Sequence, residues 1–181
     1  MYKKVNTSEE LTIYNNIWME CWEEKGYEID FYDGVAERFL ISNSSGVYVG
    51  TIEVKEYTLN EENEINTVYP FHELDYLKEN MLQTIEVDKA AILKEHRSEN
   101  LHTIIKVIGD YAMKHKTIYC VGLFEEAFFT SLRDVYKIPI IAVGDPFFYK
   151  GDDVIPTLIN LKEVFLNIDK YSWLLKIPEL K

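Results

Sequence analysis

Glu86 and Asp88 stand two residues apart in the run 81–93, Met-Leu-Gln-Thr-Ile-Glu-Val-Asp-Lys-Ala-Ala-Ile-Leu, which reads as a buried strand. In an extended strand that spacing puts Thr84, Glu86 and Asp88 on one face and Ile85, Val87 and Lys89 on the other. A carboxylate in mid-strand then has two readings. Buried, it needs a backbone or cationic partner, and burial raises its pKa toward the range of a general base. On the solvated face of a half-exposed sheet it has no chemical role.

The strand runs into Lys94-Glu-His-Arg97-Ser98-Glu-Asn100-Leu101-His102, which opens a helix with apolar residues at helical spacing. The first turn of a helix has free N–H groups and the positive end of the dipole, and both favour phosphate. Six basic residues stand against three acidic ones between Lys89 and Lys116. That face suits phosphates or an acidic protein surface. Lys114, His115 and Lys116 equally satisfy a helix C-terminus; Lys94 and Arg97 are not covered by that account. A second acidic group, Glu28, Asp30 and Asp33, follows the first helix. It fits either the binding of an amine or a polar loop with a turn at Asp33-Gly34.

Other chemistries find little support. His72, His96, His102 and His115 lack metal-ligand spacing, so no metal site is expected. There is no P-loop and no Gly-x-Ser-x-Gly. Cys21 lies on an apolar helix stripe and Cys120 in an apolar strand, so both read as core residues.

The elements that must position these residues form a mixed pattern. Ser8 reads as the cap of a first helix with Leu11, Tyr14, Ile17, Trp18, Cys21 and Trp22 on one stripe, ending before Gly26. Segments 38–42 and 47–54, around Asn43-Ser-Ser-Gly46, read as a hairpin. Residues 55–80 have no steady period and read as an excursion with one short helix. After the central strand and helix come a strand at 117–123 and a helix at 125–136 with Phe128, Phe129, Leu132 and Val135 inward. Strands at 138–143 and 154–161 follow, then a helix or surface return at 163–175. This order predicts one α/β domain over 1–181, a mixed sheet with helices on both faces and the junction near residue 94 at its centre.

Composition bounds the partners. The 181 residues are 47% hydrophobic and 14% aromatic, enough for a full core. The net charge of -12, from 31 acidic and 19 basic residues, disfavours nucleic acid and anionic membrane and favours a small substrate. Two distant cysteines, no signal-like N-terminus and no apolar run of about 18 residues point to a cytoplasmic chain. Phe147-Phe148-Tyr149 is a candidate for pairing across a homodimer.

Three segments together resemble the GNAT acyltransferase superfamily, in its branch of acyl-homoserine lactone (autoinducer) synthases and N-acyl amino acid synthases. Gly26-Tyr-Glu28-Ile-Asp30-Phe-Tyr32-Asp33 is similar to the Glu-x-Asp-x-Tyr-Asp segment of autoinducer synthases. Glu86-Val-Asp88-Lys89 stands where that branch has Glu-x-Ser-Arg. Val143-Gly-Asp-Pro146 and Val154-Ile-Pro156 are similar to its closing Gly-x-Pro and Pro-containing strand. Three positions depart from the pattern: Asn100 and His102 replace the glycines of the Arg/Gln-x-x-Gly-x-Gly/Ala loop, and Glu53 replaces an arginine.

The resemblance implies a mostly antiparallel GNAT-like sheet and an N-acyltransferase. Such an enzyme moves an acyl group from acyl-coenzyme A or acyl-carrier protein to a small-molecule amine. Carried onto this chain, it makes Glu86 the base or acceptor positioner and Tyr136 the residue that protonates the leaving thiolate. Lys94, Arg97, Ser98, Asn100, Leu101 and His102 fall on the donor phosphates, and Glu28, Asp30, Asp33 and Lys89 on the acceptor. The replaced glycines support the alternative, a catalytically degenerate GNAT-fold protein that binds a ligand or partner.

Overall fold

The first helix forms where Thr7-Ser-Glu-Glu10 precedes an apolar stripe. In the computed structural model, which describes residues 1–31 and 34–175, α1 runs Ser8–Lys25 and Thr7 caps it by accepting the Glu10 N–H at 3.2 Å. The cap thus lies one residue before Ser8, whose own backbone is already helical. Gly26 ends α1 in the left-handed conformation (φ 76°), which a residue without Cβ adopts at no steric cost. Tyr14, Ile17, Trp18 and Cys21 are buried. Burying one large apolar side chain contributes about 1.5–3 kcal/mol.

Eight strands make one sheet: β1 (Tyr2–Lys4), β2 (Glu37–Ser42), β3 (Tyr48–Glu56), β4 (Thr84–Ile92), β5 (Tyr119–Glu125), β6 (Ile140–Ala142), β7 (Phe147–Tyr149) and β8 (Asp152–Asn160). Their order is β1-β2-β3-β4-β5-β8-β6, with β7 also on β8. Every pairing is antiparallel except β4 with β5. Between β3 and β4 lie α2 (Glu64–Val68) and α3 (Asp75–Asn80); α4 (Arg97–His115) crosses from β4 to β5. After β5 comes α5 (Glu126–Thr130), and after β8 come α6 (Leu161–Leu166) and α7 (Ser172–Leu175). The mixed, mostly antiparallel sheet with helices on both faces is the predicted architecture.

Strand alternation divides the core. Ile85, Val87 and Cys120 pack with Ile104, Ile108, Phe129 and Leu132 on the α4–α5 face. Leu40 and Ala91 pack with Tyr14, Trp18 and Cys21 of α1 on the other. Farther along that second face, Val121 and Leu158 pack with Tyr57, Ile65 and Phe71. No helix among the described residues is long and apolar enough to cross a membrane.

Several local expectations are corrected. Residues 81–83 form a 3-10 turn, and β4 starts at Thr84. A second 3-10 turn, Lys94–His96, delays α4 to Arg97. The 55–80 excursion begins with strand, since β3 continues to Glu56, and it holds two short helices. Val135 is 71% exposed, because Ser131–Val135 winds as a π-turn whose wider period rotates it off the buried face. The three-residue strands β1 and β7 are too short to display an alternation. Within β7 only Phe148 is exposed; Phe147 stacks on Tyr69 with ring centroids 6.4 Å apart. Residues 163–175 contain short separate turns.

Gly50 fixes how closely β3 approaches β4. A Cβ there would lie 2.8 Å from the Ala91 carbonyl oxygen and 3.1 Å from Ile92 Cγ1. Gly50→Ala is expected to cost about 1–3 kcal/mol, read as a lower urea midpoint. An unchanged midpoint would mean the strands separate without penalty.

Candidate functional site

β4 and β5 stay together over three register positions only: Thr84↔Tyr119, Ile85↔Cys120 and Glu86↔Val121. Beyond Glu86, β4 continues beside β3, and β5 continues beside β8. The strands part, and a cavity of about 370 Å³ occupies the gap. Val87, Ala90, Leu101, Ile104, Phe124 and Phe128 give it apolar walls, while Lys25, Tyr27, Asp30, Glu64, Lys150 and Glu125 line it with polar groups. Lys89 has a φ of 47°, and the β3–β4 register slips between Thr51 and Glu53. That bulge bends β4 and reorients its side chains.

The bulge corrects the predicted faces. Lys89 was expected beside Ile85 and Val87, yet its ammonium lies 3.5 Å from Glu53 Oε1 and 3.5 Å from Asp88 Oδ2. It also sits 5.4 Å from the centre of the Trp18 ring. Asp88 and Lys89 therefore share the α1 face, a two-residue break in alternation that a bulge requires.

Charges meet inside the sheet at this point. Glu53 is fully buried and pairs through Oε2 with Arg38 Nε at 2.7 Å. Lys55, 4% exposed, has Nζ 3.2 Å from Glu86 Oε1, 3.2 Å from Asp88 Oδ2, and 3.6 Å from both Glu53 and Glu64. Glu86 is 3% exposed, and burial, reinforced by the negative charge of Asp88, pushes its carboxyl up to about 7 against the pull of Lys55. Burial would also raise Asp88, but Lys55, Lys89 and the Lys89 N–H at 2.7 Å hold it below the usual carboxylate range. Burial alone would lower Lys55; Asp88, Glu86, Glu53 and Glu64 hold it above the ordinary lysine value. The buried reading of Glu86 is the one observed, and its environment suits proton transfer near neutral pH.

The acidic segment lies at the cavity mouth. Asp30 lines the cavity and pairs with Lys150 Nζ at 2.8 Å. Glu28 is exposed, and its N–H donates to the Lys150 carbonyl at 2.9 Å. Asp33 lies outside the described residues. The Lys150-Gly151 turn docks here: a Cβ on Gly151 would meet the Gly26 carbonyl oxygen at 2.7 Å. Lys150 has a φ of 50°, so among the described residues two of the four non-glycine residues with positive φ, Lys89 and Lys150, line the cavity.

The residues that the resemblance placed on the donor phosphates are only partly assembled. Arg97 and Leu101 line the cavity. Arg97 donates from Nη2 to Glu24 at 2.7 Å and from Nε to the Ile92 carbonyl at 3.0 Å. Lys94 lies 3.4 Å from the same Glu24. Ser98 and His102 are exposed, and Asn100 is buried with Nδ2 donating to the His96 carbonyl at 3.0 Å. Tyr136 is not a lining residue; its ring packs on Trp173 with centroids 5.3 Å apart. The protonation of a leaving thiolate is therefore not assigned to it.

Sequence reasoning missed Lys55, Arg38, Lys25 and Lys150. Lys55 continues the polar alternation of Glu53 along β3, which reads as a solvent face until α1 and α2 cover it. Cys21 lines the cavity, which its place on the α1 stripe gave no reason to expect. Among the described residues no group of three or more His, Cys, Asp or Glu is arranged to hold a metal ion.

Glu86 also links stability to pH. Its folded value of about 7 lies above the ordinary 4.5, so the folded state holds the proton more tightly than the unfolded chain. The resulting stabilisation is full below the unfolded value and is lost as pH rises through the folded one. Urea melts should show up to about 3 kcal/mol of wild-type stability lost across that window, and Glu86→Gln should flatten the dependence. Parallel profiles for the two proteins would contradict it.

The sequence matches no protein-family model and no curated protein. Solved structures do share the architecture. FeeM, an N-acyl amino acid synthase from uncultured soil microbes, aligns with a TM-score of 0.71 at 18% identity, over 90% of this chain and 91% of its own. The acyl-homoserine lactone synthase LasI aligns at 0.63 and 11% identity over 89% of each chain. BjaI, a CoA-dependent acyl-homoserine lactone synthase, aligns at 0.65 and 11% identity over 99% of this chain and 90% of its own. The chain has the GNAT-like acyltransferase fold in the form shared with N-acyl amino acid and acyl-homoserine lactone synthases.

Proposed function

We propose that the protein is an N-acyltransferase that moves an acyl group from a thioester donor, acyl-coenzyme A or acyl-carrier protein, to the amine of a small molecule. The observation that carries this reading is the joining of a strand-parting cavity to a buried carboxyl tuned near neutral pH. Beyond Glu86 the β5-facing edge of β4 has no strand partner, so its backbone groups, apart from the Ile92 carbonyl that Arg97 holds, can bond an extended, amide-bearing donor arm. The apolar residues of α4 and α5 suit the acyl chain. Asp30 and Lys150 at the mouth suit a polar acceptor, with Lys89 and Glu28 nearby.

In the reaction the Glu86 carboxylate takes a proton from the acceptor's ammonium group, which frees the nitrogen lone pair. The nitrogen then bonds to the thioester carbonyl carbon, the C–S bond breaks, and the surplus proton that the new amide nitrogen sheds passes through water at the mouth to the thiolate. The buried charges around Glu86 hold this geometry before substrate arrives.

The competing reading, a ligand- or partner-binding protein without catalysis, draws on the Arg97–Glu24 pair and on the side chains of Asn100 and His102. One screen separates them. A cognate thioester donor at about a hundred times its Kd should raise the melting temperature by roughly 5–10 °C and release free thiol when an amine is present. Glu86→Gln should lower kcat by about 10²–10⁴ while keeping the donor-induced rise. A donor-induced rise without thiol release from any amine would favour the binding protein; full turnover in Glu86→Gln would remove Glu86 as base.

A further inference from the structure

The buried charges are arranged in a way that acyl transfer alone does not require. In the β3–β4 register Glu53 lies directly opposite Asp88, a like-charged pair that a sheet disfavours, and Lys55 lies directly opposite Glu86. Lys55 resolves the conflict from the diagonal, since its ammonium reaches Glu86 and Asp88 at the same distance, 3.2 Å. Both oxygens belong to β4 side chains of one face, so a single cation sets the spacing of the two carboxyl groups. It does so at the last paired position before β4 and β5 part.

We infer that Lys55 is a positioning residue for the transfer: its ammonium, seated between Glu86 and Asp88, orients the Glu86 carboxyl at the head of the cavity and supplies the countercharge of its ionised form. This rests on the reading of Glu86 as the base. A purely structural cation would need only to neutralise Glu53, and Arg38 on Oε2 and Lys89 on Oε1 already do so. The groups that face this pair come from several elements. Glu64 of α2 lies 3.6 Å from Lys55 and also 3.7 Å from Lys150. Tyr57 and Cys120 lie close enough to Glu86, and Tyr14 to Glu53 and Asp88, to feel their charges. None of these three is a cation, so the ionised form of Glu86 depends on Lys55.

The test uses the full chain and two readouts, the pH profile of kcat/KM for thioester-dependent thiol release and an NMR titration of the Glu86 side-chain carboxyl. The wild type should show an ascending limb near 7. Lys55→Met should move that limb and the titration upward by about one pH unit or more, with the rate largely recovered at high pH. Lys55→Arg, which keeps the charge, should leave the midpoint in place, and Asp88→Asn should lower it by releasing Lys55 to Glu86 alone. A Lys55→Met limb at the wild-type pH, with a loss uniform across pH, would overturn the inference and leave Lys55 a structural cation. If Lys55→Met does not fold, the Lys55→Arg and Asp88→Asn titrations decide: a midpoint displaced in the first, or fixed or raised in the second, overturns it equally. Full activity of Glu86→Gln would instead remove the base assignment, and the NMR titrations would still report whether Lys55 controls the carboxyl.

Discussion

The parting of β4 from β5 is the constraint on which the rest of the molecule depends. A parallel pair cannot be closed by a hairpin, so α4 must cross over between the strands, and its first turns arrive at the C-terminal end of β4. β5 in turn runs straight into α5. With only three paired positions, the two strands cannot fill the space between the helices they feed. The apolar sides of α4 and α5 become walls, and the edge of β4 keeps backbone groups without a strand partner. The bulge at Lys89 lies beside this opening and turns two consecutive side chains, Asp88 and Lys89, to the same face.

Burying charge beside that opening has a cost that only mutual pairing can offset. Arg38, Lys55 and Lys89 meet Glu53, Glu86 and Asp88 in a continuous chain of contacts. Within it the two β4 carboxyls differ. Asp88 gains two lysines and a backbone N–H and stays ionised, whereas Glu86 has one shared lysine and a deeper position, so burial prevails. Neighbouring carboxyls of one strand are thereby pushed apart in acidity, the pattern by which a site separates a charge-holding group from a proton-transferring one. The start of α4 follows the opposite logic. Its two cations, Lys94 and Arg97, are both engaged by Glu24 of α1, so the start of α4 is tied to the first helix.

Much of this was legible in the residues. The α1 stripe, the hairpin, the strand-to-helix junction and the mixed sheet all follow from local periodicity and turn chemistry, as does the placement of Glu86 and Asp88 on one face. The short strands β1 and β7 were not legible, because three residues carry no period; β1 in addition pairs with a strand far away in sequence, Tyr2 opposite Ile41. Val135 and Lys89 were read on the wrong faces for a related reason. Each follows an irregularity, a π-turn or a bulge, that shifts the phase of the pattern used to read it.

The sequence by itself determined which of the longer segments become strands and helices and that Glu86 and Asp88 share a strand face, since those properties depend on neighbours a few positions away. Tertiary structure alone decided that the polar face of β3 is buried, that Lys55 lies opposite Glu86, and that Arg97 turns to Glu24. Strand register and the packing of α1 and α2 over the sheet join residues tens of positions apart, and a carboxylate's acidity is set by those distant neighbours.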